Sequence, residues 1–330
     1  MRSAVAAWIG LALVFVTSGC GGKQSTLAPH TRPARDIADL WWVMLVGAFV
    51  LTGIVVLLLV IAVLRRRRGP AMHVPDEPDE LRAKAWILFG GVVAPVLVLS
   101  TLFGFGLHVL GVTNAPAARE TKRTIEVIGH QWFWEVRYPG THAVTANEIH
   151  IPAGVPLRLE VRTADVIHSF WAPGLNRKID TIPGETNAIV LEADKPGVYR
   201  GQCAEFCGLQ HANMAFYVFA DPPDKFRAWL ANEAKPARST SGAGQNVFMS
   251  QGCAACHTIR GTRADGKVGP DLTHLEDRST LAALTIPNRP GYLAGWIVDP
   301  QHVKPGNKMP ALNLTGPKLQ QLLNYLESLR

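Results

Sequence analysis

The densest run of reactive side chains is Cys203-Ala-Glu205-Phe-Cys207-Gly-Leu-Gln-His211-Ala-Asn-Met214, with a further imidazole upstream in Asp165-Val-Ile-His168-Ser-Phe-Trp171. Two thiols, two imidazoles and a thioether form a soft donor set nearly free of carboxylate, and such a set selects copper over a hard cation. A Cys203–Cys207 disulfide or a zinc site are the alternatives, but a disulfide leaves the spacing of His211 and Met214 without purpose, and zinc rarely takes a thioether. A second cluster, Cys253-Ala-Ala-Cys256-His257, is the c-type haem attachment motif, in which two thiols form thioethers to the porphyrin and the imidazole binds iron. Met309 offers the sixth ligand 52 residues after His257. A His/Met pair puts the haem in the electron-carrier range and leaves no open position for catalysis. Met249, four residues before Cys253, is directed into helix packing instead, and His274 and His302 read as structural or solvated.

These side chains need a scaffold, and the sequence divides it clearly. Of 330 residues, 48% are hydrophobic and 18% charged, too apolar for a disordered chain. Residues 1–19 read as a signal peptide, with Arg2 as its basic start and Ala4 to Val16 as its apolar core. Thr17-Ser18-Gly19-Cys20 resembles a bacterial lipobox, in which Cys20 is lipidated and becomes the new N-terminus. Thr17 stands where Leu is usual. A transmembrane hairpin is predicted over 36–112, from uncharged runs of 25 residues (40–64) and 28 residues (85–112), each longer than the roughly 20 residues that cross a bilayer. The loop 65–84 carries six Lys/Arg, four of them in Arg65-Arg66-Arg67-Arg68. Positive-inside logic puts that loop in the cytoplasm and both ends, with everything after about Asn114, on the periplasmic or extracellular side. Glycines 90, 91, 104 and 106 favour close helix contact, and Pro95 predicts a kink. Two spans are too few for a transport path, so the hairpin docks on a larger membrane subunit.

The formal charge of +7 raises nucleic acid as a partner, and its distribution removes it. Residues 1–115, 116–235 and 236–330 carry +4, −1 and +4, with the first surplus concentrated beside a membrane span. From Arg123 to Pro222 the pattern becomes short strands, in which Ile125 and Val127, Ile149 and Ile151, and Leu157, Leu159 and Val161 alternate with polar residues between Pro-Gly turns. An all-β sandwich or barrel over 120–222 follows. Residues 235–244 read as a linker. Residues 245–330 form an all-α domain with a short first helix carrying Val247 and Phe248 and a last helix marked by Leu319, Leu322, Leu323, Leu326 and Leu329.

Cys-x3-Cys-x3-His-x2-Met with His168 and with Gly129-His130-Gln131-Trp132-Phe133-Trp134 resembles subunit II of the haem-copper cytochrome c oxidases, and the C-terminal region resembles a class I cytochrome c. Together they look like the caa-type branch. The resemblance implies a cupredoxin with a binuclear CuA centre: Cys203 and Cys207 bridge the coppers, His168 and His211 bind one each, Met214 ligates one, and the Glu205 carbonyl the other. It also implies a magnesium held by the Glu205 side chain at the interface with subunit I, Trp132 as the point where electrons enter from cytochrome c, and the Pro270 carbonyl as the partner of the proximal His257. Trp134 is the strand aromatic of the core. The partners implied are subunits I and III, membrane lipid, and a cytochrome c or a quinol:cytochrome c oxidoreductase complex as donor. The function implied is electron delivery from covalent haem c through CuA to the haem-copper centre that reduces dioxygen to water with proton translocation. In many relatives a Glu stands three residues before the Trp that opens the second span; here Ala83 precedes Trp86. Two other readings fit the same residues, the input subunit of a CuA-containing nitric oxide reductase and a membrane-tethered copper or redox carrier.

Overall fold

The computed structural model describes residues 22, 24–68, 80–114, 123–238 and 242–330. The expected signal segment 1–19 and Cys20 lie outside them. The helical stretch Arg35–Asn114 forms one compact unit and the described remainder a second.

In the helical unit, α1 spans Arg32–Arg68, and α2, Glu80–Leu88, runs through a π-helical turn at Phe89–Val93 into α3, Ala94–Asn114. Two stretches, Arg32–Arg65 and Glu80–Thr113, are long and apolar enough to cross a membrane, and none of the most apolar part of either is buried within the chain. Both helices outrun their uncharged cores, because arginine, lysine and glutamate are good helix formers once a helix has started. The irregularity expected at Pro95 takes the form of that π turn. Proline has no N–H to return to the carbonyl four residues back, at Gly91, and the ladder widens ahead of it.

In the second unit, ten strands form two five-stranded sheets: β1 Thr124–His130, β2 Phe133–Arg137, β3 Val144–Ala146, β4 Glu148–Pro152, β5 Leu157–Thr163, β6 His168–Trp171, β7 Ile179–Thr181, β8 Asn187–Leu191, β9 Gly197–Cys203 and β10 Ala215–Asp221. The orders are β3-β2-β1-β5-β8 and β4-β10-β9-β6-β7. Ile125 and Val127 of β1 and Leu157, Leu159 and Val161 of β5 are buried, as the alternation predicts. Trp134, Phe170 and Phe216 fill the core that the two sheets share, with ring centroids 4.4–5.9 Å apart. This is a cupredoxin-like sandwich.

A helix absent from the sequence reading, α4 at Pro223–Glu233, follows β10 directly. Phe226, Trp229 and Leu230 stand at helical spacing behind a proline at the first turn, a signal that was available. Trp229 lies on the outside of the sandwich, 5.2 Å from Tyr138 and stacked on His150 at 3.9 Å between centroids.

The C-terminal domain is helical, with α5 Ala243–Ser250, α6 Pro290–Val298, α7 Pro300–Val303 and α8 Gly316–Leu326. Helices α5 and α8 pack through Val247, Phe248, Leu322, Leu323 and Leu326, all buried, and the Phe248 and Tyr325 rings meet edge to face at 6.0 Å. The stretch read as a linker is partly consumed by this core: Ala237 is buried with it, and the Ala237 N–H donates to the Arg260 carbonyl at 3.0 Å. The buried His274 binds the Lys235 carbonyl at 3.1 Å, which makes that histidine structural.

Candidate metal and haem centres

Strand pairing assembles the first donor cluster. Antiparallel β9 and β10 are joined by the loop from Cys203 to Met214, whose neck is closed by the Cys203 N–H donating to the Met214 carbonyl at 2.9 Å. Strand β6 pairs with β9 so that Phe170 faces Cys203, and this brings His168 onto the same end of the sheet. The Cys203 and Cys207 sulfurs stand 3.7 Å apart as free thiols. His168 Nδ1 lies 3.9 Å from Cys203 Sγ, His211 Nδ1 3.7 Å from Cys207 Sγ, and Met214 Sδ 3.8 Å from Cys207 Sγ. The Glu205 carbonyl is 3.2 Å from Cys203 Sγ. All six donors predicted from the sequence therefore converge, and His168, Cys203 and Cys207 are buried.

The electrostatics suit a cation. Hydrogen bonding from Cys207 outweighs burial and, with backbone donors, holds the Cys203 thiol far below its usual range, so one sulfur of the pair is ready as thiolate. His168 Nε2–H donates to Asp165 Oδ1 at 2.8 Å, which leaves Nδ1 as the free lone pair. Asp165 in turn accepts from the Gln131 and Val166 N–H groups. Against its own burial, those bonds hold its carboxyl at about 2. A carboxylate that orients a ligand imidazole is the usual outer partner of a metal site. Gly129 makes room for it all: a Cβ there would sit 2.8 Å from the His168 ring. The soft, closely spaced donors fit a copper pair.

The Glu205 carboxylate leaves the cluster, half-exposed, and pairs with Lys178 at 3.4 Å. One carboxylate beside a lysine is not a cage for magnesium, which needs near-octahedral oxygen ligands. This chain's own residues do not fit that ion.

In the helical domain, a cavity of about 220 Å³ is bordered by Cys253, Cys256, His257, Pro270 and Met309, with apolar walls from Phe248, Leu293, Ile297 and Leu322. The His257 Nδ1–H donates to the Pro270 carbonyl at 2.8 Å, so Nε2 keeps its lone pair. Burial lowers the imidazole's basicity, against the pull of Pro270, which favours the neutral, ligating form. Gly269 lies against the ring, where a Cβ would approach within 2.5 Å. Met249 is absent from the cavity wall and packs on the hydrophobic core, and His302 is exposed. Two free thiols, one imidazole, one thioether and an apolar slot fit a covalent haem with His257 and Met309 as axial pair.

The two centres are close neighbours. Gln131, Trp132, Phe133, Ala146 and Asn147 of the sandwich complete the wall of the haem cavity. Trp132 sits in the β1–β2 turn, and its indole N–H donates to the Cys207 carbonyl at 3.0 Å, beside Gln131 Nε2–H to the same oxygen at 2.8 Å. Trp134 is fully buried in the core, as expected. Arg260 of the helical domain donates to the carbonyls of His142 and Glu233, and the Ser279 N–H donates to Glu148 Oε1 at 2.8 Å.

Lys304, 3% exposed, enters the same joint. Its ammonium donates to the carbonyls of Trp132 (2.8 Å), Asn213 (2.8 Å) and Ala282 (3.2 Å). Burial pulls its pKa to about 7, while three acceptors use the three protons that only the ammonium form has.

Sequence reasoning did not assign Asp165 or Lys304. Asp165 stands three residues before His168, and that spacing was readable. Lys304 carried no signal, since its partners come from three distant turns.

A cupredoxin-like domain with a thiolate-rich cluster, followed by a cytochrome-like haem pocket, defines an electron-transfer protein. The profile "Cytochrome C oxidase subunit II, periplasmic domain" matches residues 142–220, and "Cytochrome c" matches 241–330. Cytochrome c oxidase subunit 2 of Alkalihalophilus pseudofirmus is 32% identical, over 97% of this chain and 96% of its own. That of Bacillus sp. strain PS3 is 29% identical over 81% and 80%. The crystal structure of the periplasmic domain of subunit II of cytochrome oxidase from Bradyrhizobium japonicum is 32% identical, covering 34% of this chain and 94% of that one, with a TM-score of 0.34. The chain belongs to the cytochrome c oxidase subunit II family, in the form that carries a C-terminal cytochrome c domain.

Proposed function

We propose that this chain is the electron-accepting arm of a bacterial aerobic oxidase, taking electrons at a haem bound covalently by Cys253 and Cys256 and passing them to a copper pair held by His168, Cys203, Glu205 (carbonyl), Cys207, His211 and Met214. The observation that carries the reading is the shared wall: Trp132 borders the haem cavity and donates its indole N–H to a carbonyl of the copper loop. When bound, haem iron and paired copper each exchange single electrons without bond rearrangement. The chain's residues do the rest. Asp165 fixes the His168 tautomer, Pro270 fixes that of His257, and the closed neck of the Cys203–Met214 loop keeps the donors in place between redox states, which lowers the cost of reorganisation. The apolar cavity keeps water from the haem face.

The domains assigned are a signal segment 1–19 with lipidation at Cys20, a hairpin over 36–112, the cupredoxin 120–222, and the cytochrome domain 245–330. The basic residues Arg65 to Arg68 at the end of α1, with Arg82 and Lys84 in α2, support a periplasmic or extracellular side for both redox domains. Electrons continue to subunit I, where dioxygen is reduced to water with proton translocation; subunit III completes the complex. A cytochrome c or a quinol:cytochrome c complex donates to the haem.

The test is the purified oxidase carrying Cys207→Ser. Expected are loss of the copper-pair EPR signal and of oxygen uptake from reduced cytochrome c, with the haem c spectrum intact. Loss of both metal signals together, or retained oxygen uptake, overturns the assignment.

A further inference from the structure

The contacts across the joint are unequal in kind. Arg260 reaches the carbonyls of His142 and Glu233, and Ser279 reaches Glu148, whereas Lys304 is buried and holds three carbonyls of separate segments on one nitrogen: Trp132 in the β1–β2 turn, Asn213 between the copper donors His211 and Met214, and Ala282 in the haem-cavity wall. Its neighbours repeat the contact. The Pro305 carbonyl accepts from Gln210 Nε2–H at 2.7 Å, and Gly306 lies against the Leu209 side chain, where a Cβ would come within 2.8 Å. The segment Lys304-Pro305-Gly306 thus follows the copper loop residue by residue, and Met309, the axial candidate, comes five residues after Lys304. A buried cation that satisfies three carbonyls in one place is costly to separate, since parting the domains leaves its buried ammonium without those partners.

We infer that Lys304 is the positioning residue of haem-to-copper transfer, a latch that fixes Trp132 and the copper loop against the haem cavity. The inference rests on the function proposed above and goes beyond it by naming the residue that sets the geometry. The step served is a one-electron transfer in which ferrous iron becomes ferric and the copper pair gains the electron, with no proton moved and no bond made or broken. Lys304 borders the haem cavity and sets the geometry through Trp132 and Asn213.

The experiment uses the complete oxidase with Lys304→Met, Lys304→Arg and Gln210→Ala. Two quantities are read: the rate of copper reduction after fast photoreduction of the haem, and the enhancement of copper-pair spin relaxation by ferric haem, which reports their separation without turnover. The K304M enzyme should keep both metal spectra, slow the transfer tenfold or more and lose much of the relaxation enhancement, with K304R in between. Transfer within twofold of wild type, with unchanged relaxation, overturns the inference while leaving the proposed function standing. Absence of transfer in the wild-type enzyme overturns both. Should K304M fail to load either metal, Q210A and K304R decide: threefold or greater slowing with normal spectra supports the latch, and wild-type rates refute it.

Discussion

At the scale of single residues, the chemistry is set by which nitrogen of each histidine is left free. Asp165 takes the Nε2 proton of His168 and Pro270 the Nδ1 proton of His257, so opposite nitrogens are presented at the two centres. Asp165→Asn weakens this orientation. Outer partners of ligand histidines are worth about 10- to 100-fold in metal affinity, and a copper titration of the variant should show a loss in that range with folding preserved. Unchanged affinity would remove Asp165 from the site. Gly269→Ala drives a methyl into the His257 ring, and the expected result is incomplete haem incorporation beside a normal copper signal. The donor residues were legible because each sits in a short local motif. Asp165 was half-legible from its spacing to His168, and the axial choice of Met309 over Met249 followed from local packing.

At the scale of elements, alternation and leucine spacing located the strands and α8, whereas α4 and the packed part of the linker were missed. The reason is physical: Ala237 is small and apolar in a Pro/Ser/Thr-rich stretch, and only tertiary contact with Arg260 turns it into core. In α8, Leu326 is 4% exposed; Leu326→Ala should cost about 2–5 kcal/mol, read as loss of haem-domain stability in denaturant while the sandwich unfolds unchanged. At the end of α4, burial pushes the Glu233 carboxyl up to about 7, opposed by Arg278 and Arg260. A carboxyl whose folded pKa is raised holds a proton that the unfolded chain releases, so stability falls as pH rises from the unfolded value of about 4.5 toward 7 and stays lower beyond. Glu233→Gln should remove this slope. Its stability should match wild type near pH 4 and exceed it near pH 8 by on the order of 1–3 kcal/mol. Equal pH profiles would contradict the burial argument.

At the scale of the whole molecule, the fold brings together what the sequence keeps far apart. Trp132 and Met309 are separated by more than half the chain, yet they border one cavity, and no periodicity or motif could announce that. The consequence is directional. In the function proposed above, a donor meets the haem before it meets copper, and tethering replaces a diffusive encounter by an intramolecular one. The most direct test is to reduce the haem of the purified oxidase with a short light pulse and follow the copper band at several protein concentrations. The account predicts first-order copper reduction at a rate independent of concentration, matched in time by haem reoxidation. Copper reduction that scales with protein concentration, or that precedes the haem signal, would contradict it.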